Sequence, residues 1–428
     1  MTVLVIFLLL FLFNGFKFLF WTSGSEQAIR LASVGSDFVL ILLAFVVLLR
    51  RRGVFGGTAL VALALVSTVT LIYNLDRDGM TSHLNGLREP AFFLSSLVVA
   101  DYLMRSEVRE RFVRVFQALL LLFCLAQIPS SFVQFLEYGA SDSVGGTLGW
   151  GATNAVTLLM FMCAFYFILV TGSTEEADSF KTGRVLLFCV LLIPCAINET
   201  KISFFLLPVF LGLLVLSRQV HRAVPTLFLG VALVYLLGMA YTEYVGDWGR
   251  VLDDRFLQEY LFHTDRETGD YPRGMKLSMS LDIMARDPIT FLIGLGYGTL
   301  MGGNIIDSSQ FTRSIWWIQG ARAFLNTVLF QGGIALALLL ALPMLGGMRT
   351  RVRLSPNMKR FRLFLLFTLG AMWFYHDSAY NRAFAAIVAY FIAWIRVGGI
   401  HREEGDAEAE HSELRETPAP EPKAAEAS

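Results

Sequence analysis

Residues 34–52 read VGSDFVLILLAFVVLLRRR: an apolar block on the scale of a bilayer crossing, closed by Arg50, Arg51 and Arg52. An apolar run sealed by bases on one side is the grammar of a membrane helix whose basic end stays in the cytoplasm. Read outward from this block, the pattern recurs. Candidate spans begin near residues 2, 34, 54, 88, 112, 150, 184, 202, 223, 323, 361 and 380. Inside lipid every backbone amide must be paired within the chain, and the period-2 alternation of a barrel is absent, so the spans are expected to be helices. The first, Thr2–Trp21, lacks a basic leader and a small-residue cleavage site, which reads as a retained helix.

Composition agrees. The chain is 55% hydrophobic and 16% charged with a mean hydropathy of +0.59, against about 25% charged residues in soluble domains. A soluble enzyme, a nucleic-acid binder and a disulfide-stapled module are all excluded. The 35 basic and 35 acidic residues cancel, yet residues 401–428 hold nine acids against three bases, so this Ala/Glu/Pro tail carries −6 and the rest +6. With almost nothing to bury, the tail is expected to be disordered. The four cysteines lie in or beside apolar runs without ligand spacing and read as small hydrophobes; the histidines show no metal-like grouping. No metal or other cofactor is expected.

Bases fix the orientation. Arg50–Arg52, then Arg105, Arg109 and Arg111, then Lys181 and Arg184, then Arg218 and Arg222, then Arg349, Arg351, Arg353, Lys359, Arg360 and Arg362 follow the even-numbered spans. Both termini are therefore expected in the cytoplasm, with the odd loops on the other side. One odd loop stands out, since Tyr241–Arg322 runs 82 residues with eleven acids and eight bases. Loops that long are usually functional. Within it 251–262 reads as an amphipathic helix, 275–285 fits a helix better than a strand, and Gly294, Gly296 and Gly298 end the regular structure. The expected organisation is all-α and membrane-integral, with about twelve transmembrane helices. Residues 1–240 hold helices 1–9, residues 241–322 the long helical loop, residues 323–400 helices 10–12, and residues 401–428 the acidic tail.

Five bases sit at span ends on the side away from the basic loops: Arg88, Lys201, Arg273, Arg322 and Arg382. A guanidinium there either snorkels, pairs internally or meets an anion, and its donor fork matches phosphate oxygens. Five at one level favour an anionic, lipid-linked ligand. Arg322 and Gly333 are eleven residues apart, about three helical turns, which would put them on one face with Gly333 admitting a close neighbouring helix. His376, Asp377, Glu199 and Asp282 are candidate general bases. His376 also reads as an interfacial histidine, Glu199 as a partner for Lys201, Asp282 as solvent-facing, and Arg88–Glu89 as an ion pair. Tyr297, Trp316 and Trp317 could stack on sugar rings or simply mark the membrane interface.

Residues 273–298, RGMKLSMSLDIMARDPITFLIGLGYG, resemble the Arg, helix, Asp/His-Pro, Gly-x-Gly pattern of the Wzy-type O-antigen and exopolysaccharide polymerases and the related O-antigen ligases. The Arg322–Gly333 pair is similar to the R-x10-G pair of those polymerases. GGTLGWGATN at 145–154 and ETKISFFLLP at 199–208 are weaker echoes. In ligases a His stands where Arg322 and Ala323 lie here, which favours polymerase. The Arg-containing repeat usual before GGTLGWG is missing, and Lys201 stands where Arg is usual.

The resemblance implies a GT-C-like helical fold in the bacterial inner membrane with a periplasmic site. It implies an undecaprenyl-diphosphate-linked oligosaccharide as both donor and acceptor, and a chain-length regulator and flippase of the same pathway as partners. Such an inverting transfer accumulates charge on the departing diphosphate. Arg322 and Arg273 would stabilise it, with His376 or Glu199 assisting the acceptor hydroxyl and Arg88, Lys201, Arg382, Tyr297, Trp316 and Trp317 binding substrate. An O-antigen ligase and a transporter of polysaccharide or lipid are the alternatives.

Overall fold

The computed structural model describes residues 1–21, 26–51, 53–139, 144–149, 151–169, 187, 190–198, 202–215, 271–300, 323–349, 354–376 and 380–398. Among these all regular structure is helical. The helices are α1 (Thr2–Gly15), α2 (Lys17–Trp21), α3 (Glu26–Arg50), the helical stretch α4 (Gly57–Met104), α5 (Arg109–Tyr138), α6 (Thr153–Leu169), α7 (Ile193–Ile197), α8 (Ser203–Val215), α9 (Arg273–Met284), α10 (Pro288–Ile293), α11 (Phe324–Met348), α12 (Pro356–Tyr375) and α13 (Arg382–Gly398). Four segments, Gln27–Arg50, Gly57–Leu75, Arg109–Tyr138 and Phe324–Met348, are long and apolar enough to cross a membrane. Leu9, Leu42, Leu49, Leu65, Ile72 and Leu136 stand exposed on these and neighbouring helices, as lipid-facing side chains must. The chain is a membrane-embedded, all-helical protein. The spans expected near 184 (save its last residues, 187 and 190–198) and near 223, the helix at 251–262 and the acidic tail lie outside the described residues.

α4 is not one rod. A straight helix of 48 residues would run about 70 Å. Instead Phe55 N donates to Asp101 Oδ2 at 3.0 Å, and the Ser67 hydroxyl meets His83 Nε2 at 3.0 Å. The stretch doubles back, so the spans expected at 54 and 88 form an antiparallel pair. α3 also departs from expectation: it begins at Glu26, eight residues before Val34.

Described bases of the even loops gather at one end of the bundle. Arg51 Nη1 donates to the Arg105 carbonyl, Arg111 Nη1 lies 3.7 Å from the Met1 sulfur, and Arg362 Nη1 donates to the Met348 carbonyl. Buried Asp101 forms ion pairs with Arg105, whose Nε lies 3.1 Å away, and with Arg396. From this basic end α13 runs between α4 and its neighbours to Arg382, fourteen residues and roughly 21 Å away along the axis. α6 and α13 are buried nearly throughout. Tyr390 of α13 stacks on Phe116 with centroids 4.3 Å apart, and its hydroxyl meets that of Tyr166 at 3.0 Å.

Opposite the basic end α1 stops and α11 breaks, with a short turn packed between helices. α1 ends at Gly15, whose carbonyl accepts the Thr147 hydroxyl at 2.7 Å. The short 3-10 turn Gly146–Leu148 is held there by α5, because Gln134 and Gln127 each exchange hydrogen bonds with Gly146 and Thr147. Residues 145–149 of the GGTLGWG motif thus form a structural turn packed against α5. α11 loses helical geometry at Gly332 and Gly333.

Candidate functional site

At the level where these helices break, charged groups converge inside the bundle. Asp37 of α3 is fully buried. Arg382, the first residue of α13, grips it with both edges of its fork, Nη2 to Oδ2 at 2.9 Å and Nε to Oδ1 at 3.3 Å. Arg88 Nε reaches the same Oδ2 at 3.0 Å. Arg382 Nη1 lies 3.5 Å from Glu89 and donates to the Tyr380 carbonyl at 3.0 Å. Lys17 falls within electrostatic range of the cluster, and Arg30 within range of Lys17. Arg88 and Arg382 therefore share Asp37 and Glu89, with Lys17 near Asp37, an excess of positive charge next to a small crevice lined by Phe7, Phe11, Leu40, Phe92 and Arg382. Burying charge is tolerable only when it is paired this closely. Arg88 and Arg382, expected to bind substrate directly, both pair with Asp37, but the Arg88 Nη1 is buried without a hydrogen-bond partner.

Beside this cluster the ends of α9, α11 and α12 meet. Arg273 opens α9 and stands over the Tyr375 ring, its guanidinium carbon 4.3 Å from the centroid, a cation–π contact. Tyr375 is the last residue of α12, and His376 caps that helix through its own N–H to the Met372 carbonyl at 3.2 Å. Phe324, the first residue of α11, packs edge-on against Trp373 at 5.0 Å and Tyr380 at 5.1 Å. Tyr380 in turn donates to Gln331 Oε1 at 2.7 Å. Arg273 thus stands on the Tyr375 ring at the end of α12, while Arg382 holds the carbonyl of Tyr380, whose ring packs on Phe324 at the start of α11.

α9 also carries a base that sequence reasoning missed. Lys276, one turn after Arg273, is 1% exposed. An i, i+3 pair of bases on one helical face was the available signal. Asp282, the remaining candidate base on α9, lies two turns and more beyond Arg273.

The Gly-rich motif proves to be a packing device. Asp287 caps α10, its carboxylate accepting the amides of Ile289 and Thr290, the Thr290 hydroxyl at 2.6 Å and the Tyr73 hydroxyl at 2.9 Å. These hydroxyls, Thr290 ahead of Tyr73, pull the carboxyl pKa down to about 2. Pro288 at the first helical position suits this start. α10 ends at Gly294 (φ 80°), which lies against the backbone of Gln331 and Gly332, and a Cβ there would meet their atoms at 2.6 Å. Gly333 (φ 62°) returns the contact, since its Cβ would stand 2.5 Å from the Leu292 carbonyl. Leu295 N–H donates to the freed Phe330 carbonyl at 2.7 Å.

Two expectations are corrected here. The three regular turns expected to lead to Gly333 are not formed among the described residues, because α11 begins at Phe324 and breaks at Gly332–Gly333. Gly333 does admit a close neighbour, the end of the short helix α10 at Leu292 and its cap Gly294. Tyr297 is no sugar platform: it is fully buried, with its ring edge-on to His83 at 5.1 Å, and burial pushes its phenol pKa up. No family model, curated protein or solved structure matches the chain. Arg322, Glu199, Lys201, Trp316, Trp317 and Asp377 lie outside the described residues. Among the described residues no group of His, Cys, Asp or Glu could hold a metal ion.

Proposed function

We propose that the chain is an inverting glycosyltransferase of the bacterial inner membrane, with about twelve spans in a GT-C-like arrangement and both termini in the cytoplasm. It would polymerise undecaprenyl-diphosphate-linked repeat units on the periplasmic face. The observation that carries the reading is the meeting of Arg273, the Tyr375–His376 helix end and the start of α11, the helix that follows Arg322, at the end of the bundle away from the basic loops. In this reading an acceptor-sugar hydroxyl oxygen attacks the anomeric carbon of a second lipid-linked chain. The bond from that carbon to the diphosphate oxygen breaks, lipid diphosphate departs, and the hydroxyl proton passes to a base, for which His376 and Glu199 are the candidates. Negative charge grows on the leaving group. Arg273 and Arg322 meet it, with Lys276 and Lys201 adding field, and loss of one such donor costs about 3 kcal/mol, a hundredfold or more in rate. The Asp37–Arg88–Arg382 cluster is the cationic floor beneath. Trp316 and Trp317 are offered to sugars, and a flippase and chain-length regulator would act alongside.

The break in α11 lends one observation to the transporter alternative, since interrupted helices mark transporter binding sites. Purified protein in detergent, given lipid-diphosphate-linked oligosaccharide and no gradient, separates the two. Longer glycan with release of lipid diphosphate is expected; unchanged glycan length would overturn the enzymatic reading.

A further inference from the structure

The basic end presents Arg50, Arg51, Arg111, Arg114, Arg349 and Lys359 as exposed side chains. Among the described residues it also holds Arg105, Arg109, Arg360, Arg362 and Arg396, against only Asp101, Glu107 and Glu110. That is a net charge of +8 on one face. α13 delivers the chain to this face: Arg396 pairs with Asp101 there, and Gly398, two residues on, ends the helix. The residues that follow, 401–428, carry nine acids and three bases, −6 in all, and hold a single leucine.

We propose that residues 401–428 dock on the basic end of their own bundle and offset most of its charge. Charge supplies the attraction, because the segment has almost no apolar surface to bury. The tether supplies the concentration. Fourteen residues separate Ser412 from Gly398, a coil span of about 20 Å, so the acids never leave the neighbourhood of the arginines and their effective concentration is in the millimolar range. An anionic lipid surface repels this tail while attracting the same bases. The tail therefore competes with anionic lipid for the arginines. This inference stands apart from the enzymatic reading.

The test uses the full-length protein in neutral-lipid nanodiscs, spin-labelled at Ser412→Cys and Lys359→Cys. Cys124, Cys163 and Cys195 are buried, so Cys189→Ser clears the remaining native thiol. At low salt a short inter-label distance is expected. It should be lost at about 0.5 M salt, where the screening length falls to a few ångströms, and lost equally at low salt when all nine tail acids are changed to Gln. Replacing part of the neutral lipid by anionic lipid should deplete the short component. Identical distance distributions for the native and the Gln-substituted tails at low salt would overturn the proposal.

Discussion

Arg382 and Asp37, 345 positions apart in the chain, form a two-pronged ion pair, Nη2 to Oδ2 at 2.9 Å and Nε to Oδ1 at 3.3 Å. The pair ties the first residue of α13 to the middle of α3, and Arg88 joins α4 to the same carboxylate. It faces a second pair, Arg396–Asp101, at the other end of α13. A helix so apolar is positioned along its axis by these two clamps, since dispersion alone tolerates sliding.

Removing the shared carboxylate should therefore hurt more than removing either base. Asp37→Ala leaves two guanidinium groups inside the bundle without it, and breaking a buried pair this way costs about 3–5 kcal/mol. A clear fall in the thermal unfolding midpoint in detergent is expected, larger than for Arg88→Gln. An unchanged midpoint would mean that Asp37 does not hold the cluster.

Gly333→Ala should be destabilising without touching any charged group. Its φ of 62° costs a side-chain residue about 1–2 kcal/mol, and the new methyl would stand 2.5 Å from the Leu292 carbonyl. Gly370→Ala, where nothing lies within 4 Å, is the control and should be near neutral. Equal midpoints for the two variants would remove the account of the α10–α11 contact.

Asp287 gives a pH signature. Its pKa is lowered from 3.8 to about 2 by hydroxyl and amide donors. A depressed carboxyl stabilises the fold fully above its unfolded pKa and loses that contribution as pH falls through the folded value. The stability advantage of the parent over Asp287→Ala should be flat from pH 7 to about pH 4.5 and shrink as pH falls from there towards 2. An advantage independent of pH over that range would contradict the cap.

Lys276→Met keeps the length of a buried side chain and deletes its charge. If Lys276 contributes field to the departing group, turnover falls while insertion and melting behaviour stay near parental. Unchanged turnover would make it a packing residue only.

Much of the helical framework was legible because lipid imposes a coarse rule, apolar length sealed by bases, that needs no knowledge of packing. The apolar block before Arg50–Arg52 follows it directly, whereas the helix at 273–284 followed from its periodicity. The level of Arg88 and Arg382 was legible from the span ends, but the carboxylate they share was not. Asp37 sits inside an otherwise apolar block, and nothing in its neighbours announces partners at Arg88 and Arg382. Sequence spacing also misjudged Gly333, because a regular helix was assumed through Gly332–Gly333, where two adjacent glycines allow the backbone to leave it. Tyr297 was misread for a related reason: aromatic residues in a loop look interfacial until the loop is seen to fold into the bundle against His83.

The central claim is that cations at the end opposite the basic loops stabilise a departing diphosphate, Arg273 foremost among those described. The most direct measurement is single-turnover release of lipid diphosphate by purified protein carrying Arg273→Ala or Arg273→Lys, at matched folding and substrate saturation. The account predicts a fall of about a hundredfold for Ala and a large fall for Lys, whose point charge cannot reproduce the planar fork. Release at the parental rate by Arg273→Ala would contradict it.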